Sequence, residues 1–154
     1  MKVLAENKRA RFDYQILETF EAGIVLNGQE VKSAKEGKAS LKGAFLVFKG
    51  EEPYLINANI PPYQPKNAPP NYDPERARKV LLKKREIKYL LGKSKEKGLT
   101  LIPLRLYTKA GKIKVEIGIA RGKRKPDKRE EIKKREIERE IRRAIKEKFY
   151  FGIV

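Results

Sequence analysis

Three basic strings concentrate side chains that could do chemistry: "NKRAR" at 7–11, "RARKVLLKKR" at 76–85 and "RGKRK" at 121–125. The first two alternate bases with small or apolar residues. A phosphate-binding surface needs that mixture: Arg and Lys on ordered elements, with apolar groups beside them for stacking or sugar contact. Any one string reads equally well as a solvated face. The whole chain, however, sets 38 Lys and Arg against 20 Asp and Glu over 154 residues, a net charge of +18. Such an excess points to a polyanionic partner, with nucleic acid ahead of an anionic membrane surface or an acidic protein.

The other reactive types are scarce. There is no histidine and no cysteine, which removes the commonest general base, the commonest metal ligand and all thiolate chemistry. No P-loop, paired-carboxylate motif or nucleophile with a base partner is present. Metal-dependent nucleases can run on Asp and Glu alone, but residues 1–120 contain only two aspartates, Asp13 and Asp73, and Asp73 reads as a helix cap. The expectation is therefore a binding protein, not an enzyme, with no metal and no cofactor. Glu21 and Glu30 are acids in basic surroundings; such an acid can orient an arginine, accept from a base amino group or only pair locally, and composition alone favours the last. No apolar run has the length of a membrane span or a signal-peptide core, so the expected compartment is the cytoplasm.

These residues need elements to hold them. Residues 12–37 carry alternation at Ala22, Ile24 and Leu26, with Asn27-Gly28 as a turn or bulge signal. Residues 44–60 read as a hairpin around Lys49-Gly50. The stretch 61–74 holds six of the nine prolines and reads as a surface loop. Asp73-Pro74-Glu75 looks like a helix start, with Asp as N-cap and Pro at the first helical position. The spacing then predicts a helix to about Gly92, with Ala77, Val80, Ile87 and Leu91 on one face and Lys84 among them. Residues 99–122 form a strong hairpin: Ile113, Val115, Ile117 and Ile119 alternate with Lys112, Lys114, Glu116 and Gly118, and Pro103 marks an edge or a bulge. About six strands with one helical segment suit a mainly β fold with helices, a small Greek-key oligonucleotide-binding-type barrel. The expected division is a barrel domain over 1–120, with a helical insertion at about 74–97, and a charged C-terminal tail over 121–154.

Taken together, "NKRARFDY", "FEAGIVLNGQEVKSAKEGKASL", "INANIPPY", "DPERARKVLLKKREI", "LGKSKEKGLTLIPLRLY" and "KVEIGIARGKRKPDKR" resemble the SsrA-binding protein (SmpB) family, in order, from about Asn7 to about Ala144. The resemblance implies a bacterial cytoplasmic RNA-binding protein that takes the tRNA-like part of tmRNA (SsrA RNA) to stalled ribosomes for trans-translation and ribosome rescue. It implies RNA-binding positions at Asn7, Glu21 and Leu81. Charge and proximity add Lys8, Arg9, Lys32, Lys35 and Lys79 as phosphate contacts. The partners implied are tmRNA and the ribosomal RNA of the stalled ribosome, with the chain acting as a monomer. The alternative is a generic basic RNA-binding barrel, such as a ribosomal protein. Phe12, Asn59 and Lys83 stand where histidines are common in the family, and Pro126 where many members have His or Tyr.

The tail has its own physics. Residues 1–120 hold 24 bases and 13 acids, residues 121–154 hold 14 and 7. Most of the tail's excess lies at its root, in Arg121, Lys123, Arg124 and Lys125; beyond them it is nearly balanced. Glu131–Arg135 and Glu138–Arg142 have the spacing of helical i,i+4 pairs. Ile137, Ile141, Ala144 and Ile145 make a narrow apolar stripe, and Asp127 reads as an N-cap with Glu130 three residues on. A disordered or marginally helical segment in the free protein is expected, with a solvated helix or one packed on the barrel as the plainer alternative. The resemblance implies that the tail occupies the vacant decoding site and mRNA channel, with Lys123, Arg124, Lys125, Asp127, Lys128 and Arg129 contacting the ribosome.

Overall fold

The computed structural model describes residues 1–123 and 128–146, with side chains in the last segment from Arg135 onward. Among the described residues seven strands form one antiparallel, curled sheet: β1 (Lys2–Glu6), β2 (Tyr14–Ile24), β3 (Phe45–Lys49), β4 (Glu52–Ile56), β5 (Arg78–Leu81), β6 (Leu99–Lys109) and β7 (Lys112–Gly122). Their spatial order is β1-β6-β7-β2-β5-β4-β3. The described residues also form four α-helices: α1 (Lys8–Asp13), α2 (Gly28–Lys35), α3 (Lys84–Ser94) and α4 (Lys128–Ile145). The mainly β expectation with helices is met, but the barrel is open. β1 and β3 are the free edges, and β3 lies against β6 through side chains, without a ladder between them.

Both hairpins form where alternation predicts them. β6 and β7 pair from Leu99↔Arg121 to Lys109↔Lys112, turning at Ala110 and Gly111, both at positive φ. Pro103 marks a bulge: the register shifts between Pro103 and Arg105. β6 is an interior strand, so the edge reading of Pro103 is set aside.

The predicted helix from Pro74 is corrected. Residues 78–81 are β5, paired with β2 and β4, and the helix begins only at Lys84. Val80 is buried on the inner face of β5, as strand alternation requires, Ala77 is buried just ahead of the strand, and in α3 it is Leu90 that is fully buried. Lys84 is exposed and does not join the core. Two short helices, α1 and α2, lie where no helix was expected. Asn27 caps α2 in a capping box with Glu30, at 2.8 and 3.0 Å. Asn7 caps α1, its side chain accepting from the Ala10 N–H.

Two apolar clusters hold the sheet. The inner one joins Leu46, Leu55, Val80, Leu90, Leu101, Leu106, Val115, Ile117 and Ile119. The second, built on Phe45, Val47, Ile56, Ile102 and Leu104, is covered by Ala10 of α1 and by α4. α4 contributes buried Ala144 with Ile137, Ile141 and Ile145 packed alongside. Thus the stripe expected to be too narrow for a core has a seat, and the described part of the tail is a helix packed on the barrel. Beside that seat a cleft is lined by Lys42, Asn57 and Glu75 from the body and Glu140, Arg143 and Ala144 from α4. The expected Asp127 cap, together with Arg124, Lys125 and Pro126, lies outside the described residues. So do the side chains of Lys128 and Arg129.

Candidate nucleic-acid interface

Side chains alternate between the two faces of a strand, and directly opposed residues on neighbouring strands share a face. On the outer face the register therefore draws two rows across the sheet. One runs Glu6–Arg105–Glu116–Glu21 over β1, β6, β7 and β2. The next runs Val3–Tyr107–Lys114–Gly23–Leu81 and ends on β5. Glu21 and Gly23 are two residues apart on β2, so Glu21 and Leu81 are near neighbours on one surface. A Cβ placed on Gly23 would lie 3.3 Å from the Leu81 Cβ. Leu81 is 53% exposed despite its size, an apolar contact offered to solvent.

Asn7 follows Glu6, the first residue of the first row. Three strand spacings separate Glu6 from Glu21, about 14 Å, which sets Asn7 and Glu21 at opposite ends of the same row. The Asn7 amide is already engaged: its Nδ2 donates to the Pro103 carbonyl at 3.0 Å while its Oδ1 caps α1. Its local role is thus to fix α1 and project Lys8 and Arg9, both exposed, from the helix start. Arg9 pairs with Asp13 at 3.2 Å. Lys79 is exposed beside Leu81 on β5, 3.7 Å from Glu52.

Lys32 and Lys35 stand apart, on α2. Lys32 Nζ lies 5.7 Å from the Tyr63 ring centroid, and Lys38 Nζ lies at the same distance. The string at 76–85 splits in two. Arg76 and Arg78 turn toward Glu30, and Arg78 is fully buried, so neither belongs to a phosphate surface. Glu30 is the local pairing residue that composition suggested.

Glu21 is more than that. Tyr107 Oη donates to its Oε2 at 2.6 Å, and Lys109 Nζ reaches both carboxylate oxygens at 3.3 and 3.2 Å. The Tyr107 hydrogen bond, with the Lys109 bond and charge, holds the Glu21 carboxyl below the ordinary carboxylate range. Burial and the Glu21 carboxylate push the Tyr107 phenol well up, so it stays a donor. In the same row Arg105 bonds Glu116 at 3.3 Å, and its guanidinium lies 5.2 Å from the Tyr107 ring centroid. Sequence reading missed Tyr107 and Arg105. Their one signal was the i, i+2, i+4 spacing of Arg105, Tyr107 and Lys109 on a strand.

Among the described residues no cluster of His, Cys, Asp or Glu is arranged for a metal ion. No helix among them is long and apolar enough to cross a membrane.

Fold and surface together define a basic, mostly β binding domain whose outer sheet face is polar and ordered. A family model described as SmpB protein matches residues 4–147. The chain is 56% identical over 147 residues to the SsrA-binding protein of Coprothermobacter proteolyticus, covering 95% of this chain and 98% of that one. It is 54% identical over 147 residues to the SsrA-binding protein of Thermosipho melanesiensis, with 95% and 99% covered. It is also similar to a solved structure described as "tmRNA-SmpB: a journey to the center of the bacterial ribosome", at 50% identity and a TM-score of 0.69, covering 94% of this chain and 96% of that one. The chain belongs to the SmpB protein family.

Proposed function

We propose that this chain binds the tRNA-like part of tmRNA and brings it to stalled ribosomes for trans-translation. It does so in the cytoplasm as a monomeric binding factor, without catalysis and without a cofactor. The observation that carries this reading is the outer sheet face, where Glu21 and Leu81 meet and Asn7 closes the row. The family's named relatives and the tmRNA-SmpB likeness support it.

The chemistry fits an RNA with a defined shape. Exposed Lys8, Arg9 and Lys79 supply phosphate contacts around the rows, with Lys32 and Lys35 doing so from α2. Phosphate contacts position an RNA without reading it. Glu21 cannot serve that purpose, since a carboxylate repels phosphate. It accepts from donors that RNA carries on base edges and 2′-hydroxyls. Leu81 offers an apolar surface to a base or sugar. In the tail, Lys123, Arg124, Lys125, Asp127, Lys128 and Arg129 are proposed to contact the ribosome, with the segment beyond them in the vacant decoding site and mRNA channel.

The test is a gel-shift series with a tmRNA transcript, a scrambled-fold control of equal length, and bulk tRNA and unrelated hairpins as competitors. Tight binding to tmRNA that the unrelated RNAs do not displace is the expected result. Equal binding to all of them would reduce the protein to a generic basic RNA-binding barrel.

A further inference from the structure

The Glu21 carboxylate is held from two strands away. Tyr107 sits on β6, Glu21 on β2, and β7 runs between them. The phenol spans that strand, between the positions of Lys114 and Glu116, to put its hydroxyl 2.6 Å from Glu21 Oε2. Tyr107 is only 3% exposed although it stands on the outer face. Val3 and Lys114 flank it in the row, and Arg105 lies against its ring. It is therefore a fixed post. Lys109, two residues further along the same face of β6, donates to both carboxylate oxygens.

The two oxygens are used unequally. Oε2 accepts from both Tyr107 and Lys109, whereas Oε1 accepts from Lys109 alone. A carboxylate oxygen has room for about two donors, so Oε1 keeps a vacant acceptor site. The Glu21 side chain is 39% exposed, which leaves that site open to a ligand. A free glutamate on a strand samples several rotamers and must give up that freedom on binding. Held by Tyr107, it has already done so.

We propose that Tyr107 is a positioning residue for RNA recognition: its hydroxyl fixes the Glu21 carboxylate so that Oε1 faces an N–H or O–H donor of the RNA. The inference rests on the reading of Glu21 as an RNA contact given above. Tyr107 itself touches no RNA in this arrangement. The donor is a base amino or imino group or a ribose hydroxyl, because those are the groups that a carboxylate can accept from in RNA.

The experiment is a double-mutant cycle on the full chain with a tmRNA transcript, using Tyr107→Phe, Glu21→Gln and the pair. Each single variant should lose affinity on the order of tenfold, and the pair should be no weaker than the weaker single. A purely structural tyrosine would not move a second readout, the acid titration of the Glu21 carboxyl followed by NMR in the free protein. That titration should shift to higher pH in Tyr107→Phe, since a bond to the charged form is lost. Lys109→Met is the second route, should Tyr107→Phe fold poorly. Its loss should likewise overlap with that of Glu21→Gln instead of adding to it. Full tmRNA affinity in folded Tyr107→Phe, or losses that simply add, overturns the inference while leaving Glu21 as an RNA contact. Full affinity in Glu21→Gln removes the contact itself, and the inference with it.

Discussion

Arg78 and Glu30 form an ion pair in which neither side chain is exposed, with Arg78 Nε 2.8 Å and Nη2 2.6 Å from Glu30 Oε2. The remaining Arg78 donors reach the Ala58 and Pro74 carbonyls at 2.8 and 2.9 Å and the Tyr72 hydroxyl at 3.3 Å. Arg76 takes the other side of the carboxylate. Together these bonds tie α2, the start of β5 and the proline-rich loop into one unit. Glu30→Gln should cost about 3–5 kcal/mol of stability, because it leaves a buried guanidinium without its counter-charge. Urea unfolding of the two proteins checks it; a difference below 1 kcal/mol, on the scale of an exposed pair, would show that Arg78 has found other partners.

The same carboxylate predicts an acid limit. Burial alone pulls the Glu30 carboxyl up, but the Arg76 bond, the Asn27 N–H and Arg78 together outweigh it and hold it below its ordinary value. A lowered folded pKa means that the unfolded chain binds the proton more readily. This contribution is thus present above the unfolded value, about 4.3, and is lost as the pH falls through the folded one. The thermal midpoint should decline below about pH 4, and Glu30→Gln should lack that part of the decline.

Leu81 separates affinity from stability. Its exposure leaves little burial to lose, so Leu81→Ala should change stability by no more than about 0.5 kcal/mol. Its tmRNA affinity should nonetheless fall several-fold. Parent-like binding would take Leu81 out of the interface.

α4 ought to depend on its seat. An 18-residue helix with a narrow apolar stripe is marginal by itself. Circular dichroism of the isolated 121–154 peptide should show little helix. In the full chain, Ile137→Ser with Ile141→Ser should remove most of the helical signal that α4 adds. A peptide as helical alone as in the protein would make the seat irrelevant.

The proposed ribosomal role of the tail gives a separate outcome. A chain stopped after Lys125 retains Asn7, Glu21, Tyr107 and Leu81 and should bind tmRNA near the parent affinity. It should fail to support tagging on stalled ribosomes in a reconstituted translation system. Full tagging would leave the tail as a packed helix and nothing more.

Both hairpins were legible because alternation and a tight turn are local signals. β5 was not. Its four residues follow Asp73-Pro74 and are half basic, which reads as a helix start; what makes them a strand is pairing with Gly23, Ile24, Tyr54 and Leu55, far away in sequence. α1 and α2 are too short for a helical period to show, at six and eight residues. The capping box Asn27-x-x-Glu30 was nevertheless there to be read. At the candidate interface the family strings pointed to Asn7, Glu21 and Leu81, but Tyr107 acquires its partner across 86 residues and only the register brings it there.

The seat under α4 sets a toll on everything that would draw the tail elsewhere. Moving α4 away re-exposes Ile137, Ile141 and Ala144, and with them Phe45, Val47 and Leu104 on the body. Its apparent affinity for any other track is the intrinsic affinity scaled by the fraction of molecules already undocked. A substitution that merely loosens the stripe would therefore strengthen binding elsewhere without making a single new contact there. Deepening the stripe would weaken it, even as the free protein became more stable.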